Sequence, residues 1–178
     1  MTSLTAFTVV VALVAVERLV ELVVSTRNAR WSLEQGGREL GAGHYPVMVV
    51  LHVALLAGAL VEAYARRPSV PSLLAWSMVV LVVASQALRW WCIRTLGRQW
   101  STRVIVVPGF SAVDRGPYRF LAHPNYVAVV VEGFALPLVH AAWITALVFT
   151  VADAALLSVR IRVENNALTQ LDGSLADA

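Results

Sequence analysis

Residues 116–126 read Gly-Pro-Tyr-Arg-Phe-Leu-Ala-His-Pro-Asn-Tyr and stand directly before an apolar run. Pro124 has no backbone N–H to donate and suits the first turn of a helix, so His123-Pro124-Asn125-Tyr126 predicts the start of a helix carrying residues 127–138. The free N–H groups of that turn can receive an anionic group, and the faces of Tyr118 and Tyr126 can hold a flat or cationic one. The same residues also suit an ordinary membrane-helix entry with an interfacial tyrosine. Further along, Arg160 and Glu164 are four residues apart and share one helix face, with Asp153 and Leu157 close to the same stripe. They form either a simple intrahelical ion pair or, at the mouth of a cavity, an acceptor for a ribose or amino group beside a cation for a carboxylate.

The elements that must position these residues are apolar helices. The chain has 178 residues, 58% of them hydrophobic, and a mean hydropathy of +0.70, which is too apolar for an ordinary soluble domain. A membrane-spanning helix needs roughly 20 mostly apolar residues. Residues 4–24, 46–65 and 70–93 satisfy that, while 125–140 and 141–161 predict a tight pair of shorter helices. The expected fold is therefore an all-α integral membrane protein of about five transmembrane helices, one domain over residues 1–178, with a C-terminal helical hairpin carrying the site. Glu17, Arg18 and Glu21 interrupt the first run, so a removable signal peptide is not expected. Residues 103–108 are β-branched but short, and predict an extended stretch at the membrane surface rather than a sheet. Residues 172–178 predict a frayed tail. The single cysteine, Cys92, excludes an internal disulfide and a Cys-rich metal site, and no metal is expected.

All 14 basic residues are arginine. With five spans, Arg27, Arg30, Arg38, Arg94, Arg98, Arg103, Arg115, Arg119, Arg160 and Arg162 fall on one side and only Arg66 and Arg67 on the other. The positive-inside rule makes the first side cytoplasmic. No basic-aromatic pattern points to nucleic acid. Ionisable residues inside a membrane are costly, and each is a candidate functional group. Glu132 lies about 10 Å inward from the start of the fourth helix, and Asp153 about as far inward from Arg160. Glu17, Arg18, Glu21 and Arg89 fall at similar depth, so together these groups predict one polar cavity open to the cytoplasm.

Gly116-Pro117-Tyr118, then His123-Pro124-Asn125-Tyr126, then Arg160-x-x-x-Glu164 resemble the isoprenylcysteine carboxyl methyltransferase family of membrane O-methyltransferases. Gly37-x-Glu39-x-Gly41-x-x-His44-Tyr45-Pro46 looks more like the bacterial branch associated with lipophilic phenols and pyrones than like the prenyl-protein enzymes. Members often have arginine where Ala122 stands and histidine where Phe110 stands, and Asn165 replaces the second glutamate of a frequent pair. The resemblance implies S-adenosylmethionine bound within about residues 94–168 by Tyr118, His123, Pro124, Asn125, Tyr126, Arg160 and Glu164. It also implies a lipophilic acceptor drawn from the membrane lipid phase. Methyl transfer needs in-line approach, so positioning and desolvation supply much of the rate. Arg160 or Arg119 would orient a carboxylate acceptor; His44, His123 or Glu132 would take the proton of a phenol or enol. His44 equally suits a structural role, and His52 and His140 have none assigned. No glycine-rich nucleotide loop is present, which excludes a soluble Rossmann-type enzyme. The His-Pro-x-Tyr region is also similar to sterol-reductase-like membrane proteins, leaving an NADPH-dependent reductase or a non-catalytic subunit as alternatives.

Overall fold

The computed structural model describes residues 4–110 and 113–176, with side chains through residue 166. Five helices follow one another: α1 (Leu4–Glu34), α2 (His44–Arg66), α3 (Ser72–Leu96), α4 (Pro124–Leu138) and α5 (Trp143–Ala176). Short 3-10 turns occupy Gly97–Gln99 and Gly116–Arg119. By length and composition α2, α3 and α5 can each cross a membrane. The protein is thus all-α and membrane-integral, but two expected spans differ in kind. The first apolar run belongs to a longer helix that holds three charged groups within its would-be span, and α4, at 15 residues, is short for a full crossing.

The helix ends are set by local chemistry. α4 begins at Pro124, as the missing N–H predicts, with His123 preceding it. Pro137 weakens its last turn, and Ala141 takes a left-handed conformation in the turn that reverses the chain into α5. Glu62, near the end of α2, then caps α5 from outside. Its carboxylate accepts the N–H of Ile144 (3.2 Å) and of Thr145 (2.8 Å) and the Thr145 hydroxyl (2.9 Å), where the positive end of the helix dipole favours an anion.

This end of the bundle is dry. Phe7, Val11 and Val14 of α1 pack with Ala59 and Ala63 of α2, Val82 of α3, and Ala135, Leu136 and Val139 of α4. Small residues at the crossings let the backbones approach, which membrane helices need because lipid competes for apolar contact. Gly133 is the extreme case, since a Cβ there would lie 2.0 Å from the Phe149 ring. The α4–α5 hairpin therefore closes only over glycine.

The opposite end gathers the start of α2, the start of α4 and the later turns of α5. Two sequence expectations are corrected here. Val104–Val106 (β2) is a strand, paired antiparallel with Arg38–Leu40 (β1), Glu39 facing Ile105. Pairing satisfies backbone groups that a lone extended stretch would leave open, and Arg103 bonds Glu39 at 3.0 Å beside the ladder. The chain from Asp172 continues as helix through Ala176 rather than fraying, each residue adding one bond to an existing helix; residues 177–178 lie outside the described residues.

Replacing Gly133 by alanine should force Phe149 out of place and destabilise the protein by about 1–3 kcal/mol. Thermal unfolding in mild detergent measures this, and an unchanged midpoint would show that the hairpin tolerates a wider spacing.

Candidate functional site

Where the hairpin's open ends meet, the first turn of α4 lies against the later turns of α5. The Tyr126 hydroxyl donates to Glu164 Oε2 at 2.6 Å, and His123 Nδ1 lies 3.8 Å from the same oxygen. The His123 and Tyr126 rings stack with centroids 5.4 Å apart. The Arg160 guanidinium also lies over the Tyr126 ring, 5.6 Å from its centre. Arg160 and Glu164 are not ion-paired with each other among the described residues. Glu164 turns to Tyr126, while Arg160 donates to the Thr102 carbonyl at 2.8 Å and to Met48 Sδ at 2.6 Å. Thr102 is itself held by α1, whose Ser25 hydroxyl accepts the Thr102 N–H at 2.9 Å. A chain of contacts thus runs from α1 through the strand segment to Arg160.

These groups rim a cavity of about 560 Å³, within the usual range of ligand sites. Tyr118, His123, Asn125, Tyr126, Arg160 and Glu164 line it, and Asp153 lies deeper in its wall. Pro124 is buried behind them as the first residue of α4. Asn125 Oδ1 and Arg160 Nε are buried without partners among the described residues, a cost that native structures rarely leave unmet. Tyr118 is placed by a turn that only glycine permits. Gly116 is left-handed, and a Cβ there would lie 2.6 Å from Thr95 Oγ1. Burial, and then the Cys92 thiol beside it, push the Tyr118 phenol up, so it remains protonated and able to donate. Ala122 and Phe110, where the resembled family often carries charge, are apolar parts of the same wall.

The far end holds a buried charge cluster. Arg18 of α1 bonds Glu132 of α4 at 2.7 Å, Gln86 of α3 at 2.8 Å, and Glu21 on its own helix. Arg89 of α3 reaches Glu132 at 3.2 Å and Glu21 at 3.4 Å. Arg18, Glu21 and Arg89 line the cavity; Glu132 stands behind them. The equal depths read from the sequence correspond to actual contact for Arg18, Glu21, Arg89 and Glu132, but not for Glu17, which takes the Trp90 indole N–H, or for Asp153, which lines the cavity with its Oδ2 unpartnered among the described residues. Glu132 Oε2 is committed to two guanidiniums. His44 does not reach the cavity. It lies in a small neighbouring crevice with Glu39, Gly41 and Tyr45, its Nδ1 buried without a partner. Arg119 and His140 do not line the cavity either, but His52, left without a role by the sequence, does.

The sequence model of the isoprenylcysteine carboxyl methyltransferase (ICMT) family matches residues 78–170. The chain is 34% identical over 164 residues to the uncharacterized protein YpbQ of Bacillus subtilis (strain 168), covering 92% of this chain and 97% of that protein. It is 26% identical over 155 residues to an uncharacterized protein of Haemophilus influenzae, covering 86% and 90%. No solved structure matches.

Removing one member of the buried cluster strands its partners in an apolar medium. Arg89→Met should cost about 3–5 kcal/mol, and Arg89→Met combined with Glu132→Gln should cost less than the sum of the two single changes. Detergent-solubilised thermal unfolding of the three variants decides it; strict additivity would mean that the two side chains are not coupled.

Proposed function

The chain belongs to the isoprenylcysteine carboxyl methyltransferase family of membrane methyltransferases, and from that premise we propose that it moves the methyl group of S-adenosylmethionine to an oxygen of a lipophilic acceptor, a phenolic or pyrone lipid in preference to a prenylcysteine. Members of the family use S-adenosylmethionine as methyl donor. The observation that carries the reading is the convergence of His123, Tyr126, Arg160 and Glu164 at the mouth of a cavity whose inner walls are largely apolar.

The residues present fit that cofactor. Glu164 offers carboxylate oxygens to ribose hydroxyls or an amino group, Arg160 offers an unpartnered Nε to a carboxylate, and Asn125 offers a buried unpartnered Oδ1. The aromatic rings of Tyr118 and Tyr126, both in the cavity lining, offer flat surfaces for the adenine or the sulfonium. When bound, the cofactor supplies an electrophilic methyl carbon on a positive sulfur. The protein's part is to hold both reactants, exclude water and direct the acceptor oxygen. Pairing also argues against the reductase alternative: a dinucleotide phosphate calls for further free cations, and Arg18 and Arg89, which line the cavity with Arg160, are already ion-paired with Glu21 and Glu132.

An acceptor reaches such a site from the bilayer. Leu19 of α1 and Val53 of α2 line the cavity and are more than half exposed, which supports an apolar entrance between α1 and α2 at membrane depth. The cofactor enters from the polar end, and the arginine distribution supports a cytoplasmic location for that end.

His123→Ala and Glu164→Ala should each leave the protein folded and weaken S-adenosylmethionine binding by about 1.5–3 kcal/mol, roughly ten- to hundredfold. Isothermal titration measures this, and full affinity in both variants would move the cofactor elsewhere.

Tail length should govern turnover. Each buried methylene contributes at most about 0.8 kcal/mol, so removing four carbons from the acceptor should lower kcat/KM by roughly two orders of magnitude. Purified enzyme in mixed micelles, with labelled methyl donor and long- and short-chain phenols, pyrones and prenylcysteines, is the assay. Equal rates with short soluble acceptors would remove the lateral route, and NADPH oxidation without methylation would replace the reaction class.

A further inference from the structure

Accepting the methyltransferase reading above, we infer that His52 is the residue that takes the proton from the acceptor, and that the acceptor accordingly presents a neutral hydroxyl rather than a carboxylate to the deep end of the cavity. His52 lies on α2 in the stripe Tyr45, Met48, His52, all three of which line the cavity. Met48 touches Arg160 through its sulfur, and His52 is one turn, about 6 Å, further in. It therefore sits between the mouth, where the cofactor groups gather, and the Arg18–Glu21–Arg89 cluster at the far end.

The tautomer of His52 follows from its contact. Its Nδ1 is 2.8 Å from the Met48 carbonyl oxygen, and a carbonyl only accepts, so Nδ1 carries the hydrogen and Nε2 keeps its lone pair. The ring is steadied edge-to-face against Phe149, centroids 5.5 Å apart at 86°. A histidine fixed by a backbone carbonyl at one nitrogen, with the other unbonded in a cavity wall, has the arrangement of a general base. Neither base candidate from the sequence that the structure places away from the cavity, His44 or Glu132, shares it: one lies outside the cavity, the other is bonded to two guanidiniums.

The surrounding charges select the protonation state of the acceptor. Arg18 and Arg89 are ion-paired with Glu21 and Glu132, the four drawn from α1, α3 and α4, and Arg160 is the cation assigned above to the carboxylate of the methyl donor. Among the described residues that line the cavity, no further guanidinium is then left to hold an acceptor carboxylate. Glu21 Oε1 and the Nε atoms of Arg18 and Arg89 are buried without partners, and a hydroxyl, which both donates and accepts, suits that mixture. In the proton step the acceptor's O–H bond breaks, its electron pair stays on oxygen, and the proton bonds to Nε2; it passes to solvent after the oxygen has taken the methyl group from the sulfonium donor.

The test uses full-length enzyme with pentadecylphenol, its ring-nitrated and far more acidic analogue, and palmitate. His52→Asn keeps an N–H toward the Met48 carbonyl and removes Nε2, and His52→Gln serves as a second variant should the first fail to fold. The expected result is a fall in kcat of about a hundredfold or more with pentadecylphenol, a much smaller fall with the nitrated phenol, unchanged S-adenosylmethionine affinity, and negligible methylation of palmitate by the parent enzyme. A readout without turnover accompanies it: the nitrated phenol, bound in the absence of methyl donor, should show its phenolate absorbance at lower pH with the parent than with His52→Asn. Equal losses on both phenols, no loss, or palmitate methylated as well as phenol would overturn the inference while leaving the methyltransferase reading intact. A parent enzyme that methylates none of the three and binds no S-adenosylmethionine would overturn both.

Discussion

Burying charge in an apolar medium is tolerable only when the charges meet, and that constraint organises the molecule. Arg18, Glu21, Arg89 and Glu132 come from α1, α3 and α4 and find their partners only when those three helices share one arrangement. Such a cluster adds little net stability against an apolar replacement, because desolvation offsets the attraction. Its effect is on uniqueness. A helix that slid by one turn would leave a carboxylate or guanidinium unpaired in a low-dielectric interior, a far larger penalty than any loss of apolar contact. The cluster also keeps a polar surface at depth, against which a cavity can remain open rather than collapse.

The two ends of the bundle solve opposite problems. At one end small residues and the Glu62 cap bring α2, α4 and α5 close enough to exclude everything. At the other, polar groups face the cavity, and the β1–β2 ladder packs against α1 and α5. The tight end makes the open end accurate: because Gly133 lets α4 lie on Phe149, Tyr126 arrives at hydrogen-bond distance from Glu164. Removing that closeness would displace the site without touching any of its residues.

The sequence made legible what local chemistry and depth control. The start of α4 at Pro124, the hairpin and the meeting of Arg18, Arg89, Glu21 and Glu132 follow from proline geometry, helix length and the cost of buried charge. Partner choice was less legible. Arg160 and Glu164 share a helix face yet bond Thr102, Met48 and Tyr126 instead of each other, because those groups come from elements far away in sequence. The pairing of Arg38–Leu40 with Val104–Val106 is invisible for the same reason. His52 has no role assigned from the sequence, because no periodicity in α2 could say that this side chain, bonded at Nδ1 to the Met48 carbonyl, lines a cavity.

The family match runs from residue 78 to residue 170 and so takes in most of α3, all of α4 and most of α5, with Tyr118, His123, Tyr126, Arg160 and Glu164, while α1 and α2 lie outside it. On the reading proposed, that boundary separates two kinds of constraint. A fixed cofactor requires the same donors and acceptors wherever it is bound. An acceptor that differs from protein to protein requires only a shaped wall and one well-placed proton acceptor. α1 and α2 provide that wall, with Leu19 and Val53 at its entrance and Arg18, Glu21 and His52 within. Because α1 also holds Thr102, and Thr102 holds Arg160, the two halves are mechanically joined. An acceptor that shifts α1 must then alter the seat of Arg160, so on physical grounds the occupancy of one half is felt in the other.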